Sequence, residues 1–143
     1  MNASEANAIK PPTTRFWLWS LLSVVGLALA LFAFFRFNPS EHSFFPRCVF
    51  HSVSGWNCPG CGGQRALHHL LHGNFAAALQ HNALFVVLLP LAIWSLAQTF
   101  WNRCFGSPKI GLFKHHLWPW VLCITVIAFG VLRNLPGFGW LRP

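Results

Sequence analysis

The chain has 143 residues, room for one domain; 55% of them are hydrophobic, 8% are charged, and the mean hydropathy is +0.49. A soluble domain carries about 25% charged residues, so this composition excludes a soluble enzyme, and the 15 Phe and 8 Trp exclude a disordered tail. Ten Lys and Arg against two acids give a formal charge of +8, but the basic residues are scattered beside apolar runs, which points to membrane lipids and topology and not to nucleic acid.

In chain order, residues 1–15 read as a polar tail carrying Pro11-Pro12. Residues 16–35 form an uncharged run of 20, which as a helix rises about 30 Å and can span a bilayer. It is expected to be retained and not cleaved as a signal peptide, because the run is too long and Ala28-Leu29-Ala30 falls inside it. A second uncharged run covers residues 83–100, with Pro90 expected to kink it. The third covers 117–132 and stops at Arg133; it is short, so some bilayer thinning or snorkelling by Arg133 is expected.

The predicted fold is therefore all-α and integral to a membrane. Residues 16–143 make one domain of about three transmembrane helices, with a cysteine-bearing loop and short amphipathic helices between the first two. Trp17, Trp19, Trp101, Trp118 and Trp120 all fall at one membrane face if the spans alternate in direction. The basic residues divide five against five between the two faces. Lys10 and Arg15 before the first span lean the N-terminus toward the cytoplasm.

The unusual chemistry lies in the loop at 44–82. Cys48 precedes Cys58-Pro59-Gly60-Cys61, and Gly62-Gly63 follow. Two thiolates at this spacing can share one ion, Pro restricts the turn, and Gly lets backbone N–H groups face the sulfurs. Gln64 to His72 has helical spacing ending at Gly73, and Asn74 can cap a second short helix over 75–81. On the first of these helices Cys61, Arg65, His68 or His69, and His72 share a stripe, with Leu67, Leu70 and Leu71 opposite.

Three readings of the cysteines stay open. Cys48, Cys58 and Cys61 could bind a metal, zinc in the first instance, with His51, His68, His69 or His72 as fourth ligand. They could instead form a disulfide or a redox-active pair, or stay reduced and simply pack. Arg65 is the candidate contact for a lipid phosphate or a carbonyl of the cysteine turn. Cys123, in the third run, reads as packing.

With Glu5 and Glu41 the only acids, paired-carboxylate catalysis is excluded, and no phosphate-cradling Gly-Lys motif occurs. Two functions compete. One is a non-enzymatic, metal-stabilised adaptor or assembly component of a membrane complex. The other is a membrane-bound thiol-disulfide oxidoreductase acting through Cys58 and Cys61. Three spans make a thin core, so other membrane proteins or a second copy are expected partners, with Ser20, Ser23 and Gly26 allowing close helix approach.

The chain also resembles a family of small bacterial integral-membrane proteins of unknown function with the signature C-P-x-C-G-x-T-R. The resemblance rests on Cys48, Phe50-His51, Cys58-Pro59-Gly60-Cys61-Gly62, Arg65-Ala66, Leu70-Leu71-His72-Gly73, Ala77-Ala78 and Asn82. It continues in the closing run Arg133-Asn134-Leu135-Pro136-Gly137-Phe138 with Trp140-Leu141. Gln64 stands where that family has Thr, Asn74 where it has Asp, and Ala83 where it has Pro. The resemblance implies a bacterial inner-membrane protein with few spans and a cysteine loop, and it implies no reaction.

Overall fold

The computed structural model describes residues 13–105 and 116–142, and all regular structure among them is helical. Most of the polar tail, and residues 106–115 between the second and third apolar runs, lie outside the described residues. Helix α1 runs Thr14–Arg36, α2 Val49–Ser54, α3 Gly63–Leu71, α4 Phe75–Phe105 and α5 Trp118–Leu132, and a single 3₁₀ turn covers Gly139–Leu141.

Two of these helices, α1 and α4, are long and apolar enough to cross a membrane; α5 is a shorter apolar helix of 15 residues. At 1.5 Å per residue α5 is about 22 Å long, less than the roughly 30 Å of a hydrocarbon core. Neither α1 nor α5 buries a residue, and Leu22, Leu29, Leu96 and Ile124 are 62%, 64%, 70% and 64% exposed. Water is a poor solvent for such an exterior, and lipid a good one.

Aromatic contacts fix the direction of the two long helices. Phe16, at the start of α1, stacks on Phe100 near the end of α4, with the Arg103 guanidinium 5.8 Å from the Phe16 ring centre. The other end of α1 meets α3, where His68 donates from Nδ1 to the Phe34 carbonyl at 2.7 Å. That carbonyl lies in the last turn, where a helix leaves its C=O groups without internal partners. So α1 and α4 run antiparallel, and Trp17 and Trp101 share one end, as the sequence pattern required.

The break in the second long helix falls at Asn82 (φ −161°, ψ 92°) and not at Pro90, where the backbone stays helical. Asn82 leaves the helix because its side chain is used elsewhere, as described below. The short helix expected over 75–81 is thus the first part of α4, separated by one residue from the long apolar part. Between α3 and α4, Gly73 takes φ +75°, Asn74 N–H bonds to the His69 carbonyl at 2.8 Å, and Gly73 N–H bonds to the Leu70 carbonyl at 3.0 Å. This double closure satisfies the end of α3 and turns the chain directly into α4, with the Asn74 carbonyl taking the first helical bond from Ala78.

Buried side chains gather at the end where α3 packs on α4. They are Phe45, Cys61, Ala66, Ala78, Asn82 and Arg133. Two of the six are large polar groups, and both serve the cysteine turn.

Candidate metal centre

Local sequence brings the sulfurs together. Cys48 precedes α2, and Cys58 and Cys61 flank a tight turn closed by the Cys61 N–H to Cys58 carbonyl bond at 3.0 Å. Gly62 then takes φ +80°, a conformation that favours glycine, and starts α3. The Cys48 and Cys58 sulfurs stand 3.3 Å apart, those of Cys58 and Cys61 3.2 Å apart, and all three lie within 4.8 Å of one another. All five cysteines are free thiols. Cys61 is buried, whereas Cys48 and Cys58 are half-buried, so the cluster has a closed side and an open side.

The turn is held from below by two distant segments. Asn82, 1% exposed, donates from Nδ2 to the carbonyls of Pro59 (2.9 Å) and Cys61 (3.0 Å). Its Oδ1 accepts the Phe85 N–H at 2.9 Å, which restarts the helix after the break. Arg133, 0% exposed, donates from Nη1 to the carbonyls of Cys58 (2.9 Å) and Cys61 (3.0 Å), with its guanidinium 5.1 Å from the Phe129 ring centre. Asn134 completes the clamp: its amide donates to the Asn57 and Gly130 carbonyls and accepts the Asn57 N–H. Gly130 lets α5 come this close, since a Cβ there would stand 3.3 Å from Pro59 Cδ.

The electrostatics of the cluster are uneven. The backbone N–H of His51 in α2, and next the Cys58 thiol, hold Cys48 below the ordinary thiol range, although its sulfur makes no capping hydrogen bond of good geometry. Burial, and next the neighbouring Cys58 and Cys48 thiols, push Cys61 up to about 12. Arg133 keeps two donors, Nε and Nη2, that are buried without a hydrogen-bond partner. Burial lowers Arg133 from the ordinary guanidinium range, with the nearby Cys61 and Cys58 sulfurs acting against that shift; among the described residues Glu41 has the only carboxylate side chain, and it accepts from Asn38 at 2.9 Å.

Three sulfurs this close could hold one metal ion. Metal–sulfur bonds of about 2.3 Å in a tetrahedron would put sulfurs a little under 4 Å apart, so the Cys48–Cys58 and Cys58–Cys61 pairs, at 3.3 and 3.2 Å, would part by roughly half an ångström. A divalent ion held by three thiolates would carry one net negative charge, opposite in sign to the buried guanidinium of Arg133.

Several predicted site residues stand elsewhere. Among the described residues no histidine joins the three-sulfur group. His68 is drawn to α1, His72 donates from Nδ1 to the His68 carbonyl at 2.8 Å and stacks on Phe35, and His69 stacks on His81. The expected shared stripe fails because Cys61 lies in the turn before α3, and an unpaired carbonyl at the end of α1 takes the His68 imidazole. His68 and His72, with Phe35, Arg36, Glu41 and His42, instead border an open cavity of about 480 Å³ at that end of α1. His51 is exposed on α2, its Nδ1 3.2 Å from the Trp56 carbonyl.

The guanidinium on the knuckle carbonyls is that of Arg133 and not Arg65, which sits half-buried on α3. Nor does Arg133 snorkel: the turn supplies carbonyl acceptors and the chain folds around it. Asn82, Arg133 and Asn134 were not among the candidate site residues. All three do belong to the segments on which the family resemblance rests.

The model of a family described as "Protein of unknown function (DUF2752)" matches residues 48–96. The matched segment starts at Cys48 and takes in the cysteine turn, α3, Asn82 and much of α4. It supports an uncharacterised family and assigns no activity. No curated protein and no solved structure matches the chain.

Proposed function

We propose that this is a multi-pass protein of a bacterial inner membrane whose cysteine turn holds one zinc ion, and that it serves without catalysis as an adaptor or assembly component of a larger membrane complex. The observation that carries the metal reading is Arg133: a fully buried guanidinium with two unpartnered donors beside three clustered sulfurs. Burying an unpaired cation is costly, and three neutral thiols do not offset it. Metal-bound thiolates do.

The exposed apolar helices support the membrane setting, and the likeness to small bacterial membrane proteins supports the compartment. A core confined to one end of the molecule supports partners or a second copy along the helices; Gly26, for instance, has nothing within 4 Å of where a Cβ would stand. Within this reading Arg65 is free to meet a lipid phosphate at the interface.

The 3.2 Å approach of Cys58 to Cys61 supports a second reading, a membrane thiol-disulfide oxidoreductase using that pair. One experiment separates the two. The protein is purified in mild detergent without added metal or reductant, and bound metal and free thiols are counted on the same sample. About one zinc per chain, lost in Cys48→Ser and kept in Cys104→Ser, supports the metal centre. No metal, with two thiols missing until reductant is added, overturns it in favour of the redox pair.

A further inference from the structure

The geometry points to a lipid-headgroup site in the open cavity at the end of α1, for a phospholipid whose headgroup carries both a phosphate and a primary ammonium, as phosphatidylethanolamine does. The inference rests on the membrane setting given above and is independent of the metal. At 23 residues α1 is about 34 Å long, close to the thickness of a hydrocarbon core, so its last turn falls at the level of the headgroups. The cavity, of about 480 Å³, opens at that turn.

Charge defines the ligand. Arg36 and Glu41 border the cavity and are its only permanently charged side chains. They do not pair with each other: Glu41 accepts from Asn38 Nδ2 at 2.9 Å, and no ion pair joins it to Arg36. Opposite charges that share one cavity without meeting suit a ligand that carries both. The guanidinium is the donor for the phosphate, and the carboxylate is the acceptor for the ammonium.

The imidazoles narrow the choice. Nδ1 of His68 faces the Phe34 carbonyl at 2.7 Å, and Nδ1 of His72 faces the His68 carbonyl at 2.8 Å, so each ring carries its proton on Nδ1. In the neutral ring Nε2 is then an acceptor. The two rings, 4.4 Å apart between centres, border the cavity together. With Glu41 they make a set of acceptors, which suits the three N–H groups of a primary ammonium. A choline headgroup has no N–H to give them, and a glycerol headgroup has no cation for Glu41. Phe35, 46% exposed, stacks on His72 and continues the cavity onto the apolar exterior of α1, where acyl chains lie.

Native mass spectrometry of the full chain in mild detergent tests this. Equal amounts of phosphatidylethanolamine, phosphatidylcholine and phosphatidylglycerol with the same acyl chains are added, and the lipids that stay bound are counted. Phosphatidylethanolamine should be retained about tenfold over the other two, the size of one charge-assisted contact. Glu41→Gln, which can still accept from Asn38, should lose that preference, and Arg36→Gln should weaken all three lipids. Both positions are exposed, and circular dichroism checks that the helices persist. Soluble phosphoethanolamine at the same concentration should not displace the lipid; displacement would overturn the lipid as the ligand in favour of a solute. Equal retention of the three lipids by the wild type, or a preference for phosphatidylglycerol, overturns the inference, as does an unchanged preference in Glu41→Gln. Zinc counted on the same sample tests the metal reading separately, and a chain that stays dissolved and monodisperse without detergent overturns the membrane setting itself.

Discussion

Replacing Arg133 with Gln removes the buried charge and leaves a shorter polar side chain. Two charge-assisted hydrogen bonds are lost, at 2.9 Å to the Cys58 carbonyl and 3.0 Å to the Cys61 carbonyl. The Cys61 carbonyl keeps Asn82, so its loss is partial. The larger effect is the lost counter-charge: breaking a buried ion pair from one side costs about 3–5 kcal/mol. If roughly 3–4 kcal/mol of that falls on the metal-bound state, zinc affinity drops about a hundred- to a thousandfold. Competition against a chelator of known affinity, on detergent-solubilised protein, measures the drop. Arg133→Lys keeps the charge but loses the planar fork, and should fall between the two. Far-ultraviolet circular dichroism confirms that both variants stay helical. Zinc affinity within a few-fold of wild type in Arg133→Gln would refute the charge-balance reasoning.

Other predictions address the clamp and the packing. Asn82→Asp should destabilise as much as Asn82→Ala, by about 2–3 kcal/mol, because a carboxylate cannot donate to the Pro59 and Cys61 carbonyls; thermal unfolding in detergent measures it. Gly62→Ala, at φ +80°, should cost about 1–2 kcal/mol in the same assay. His68→Ala loses its 2.7 Å bond to the Phe34 carbonyl and should speed amide exchange in the last turn of α1, leaving zinc content unchanged. Chelation should expose Cys48, Cys58 and Cys61 to alkylation, whereas exposed Cys123 should react at the same rate with or without metal.

Local signals in the sequence were sufficient for the apolar helices, for α3 and for the three cysteines, but not for the short helix α2 at Val49–Ser54. Charge-free runs marked the long helices, Cys-Pro-Gly-Cys spacing marked the turn, and Gly73 marked the end of α3. What local pattern could not convey was pairing across the chain. Arg133 meets Cys58 across 75 positions and Asn82 meets Pro59 across 23, and neither pairing has a periodicity. An arginine at the end of an apolar run looks like an interfacial residue until a ring of carbonyls is placed beside it. The histidines misled for the opposite reason. Their spacing from the cysteines suited a ligand, but the open carbonyl end of α1 and the aromatic ring of Phe35 were nearer partners. Asn82 also relocated the helix break: three side-chain hydrogen bonds at one residue outweigh the proline at position 90, which the long helix accommodates.

X-ray absorption at the zinc edge of the purified, untreated protein tests the central claim most directly. The account predicts stoichiometric zinc with three sulfur neighbours at about 2.3 Å and one lighter atom. No stoichiometric zinc, or zinc surrounded only by nitrogen and oxygen, would contradict it.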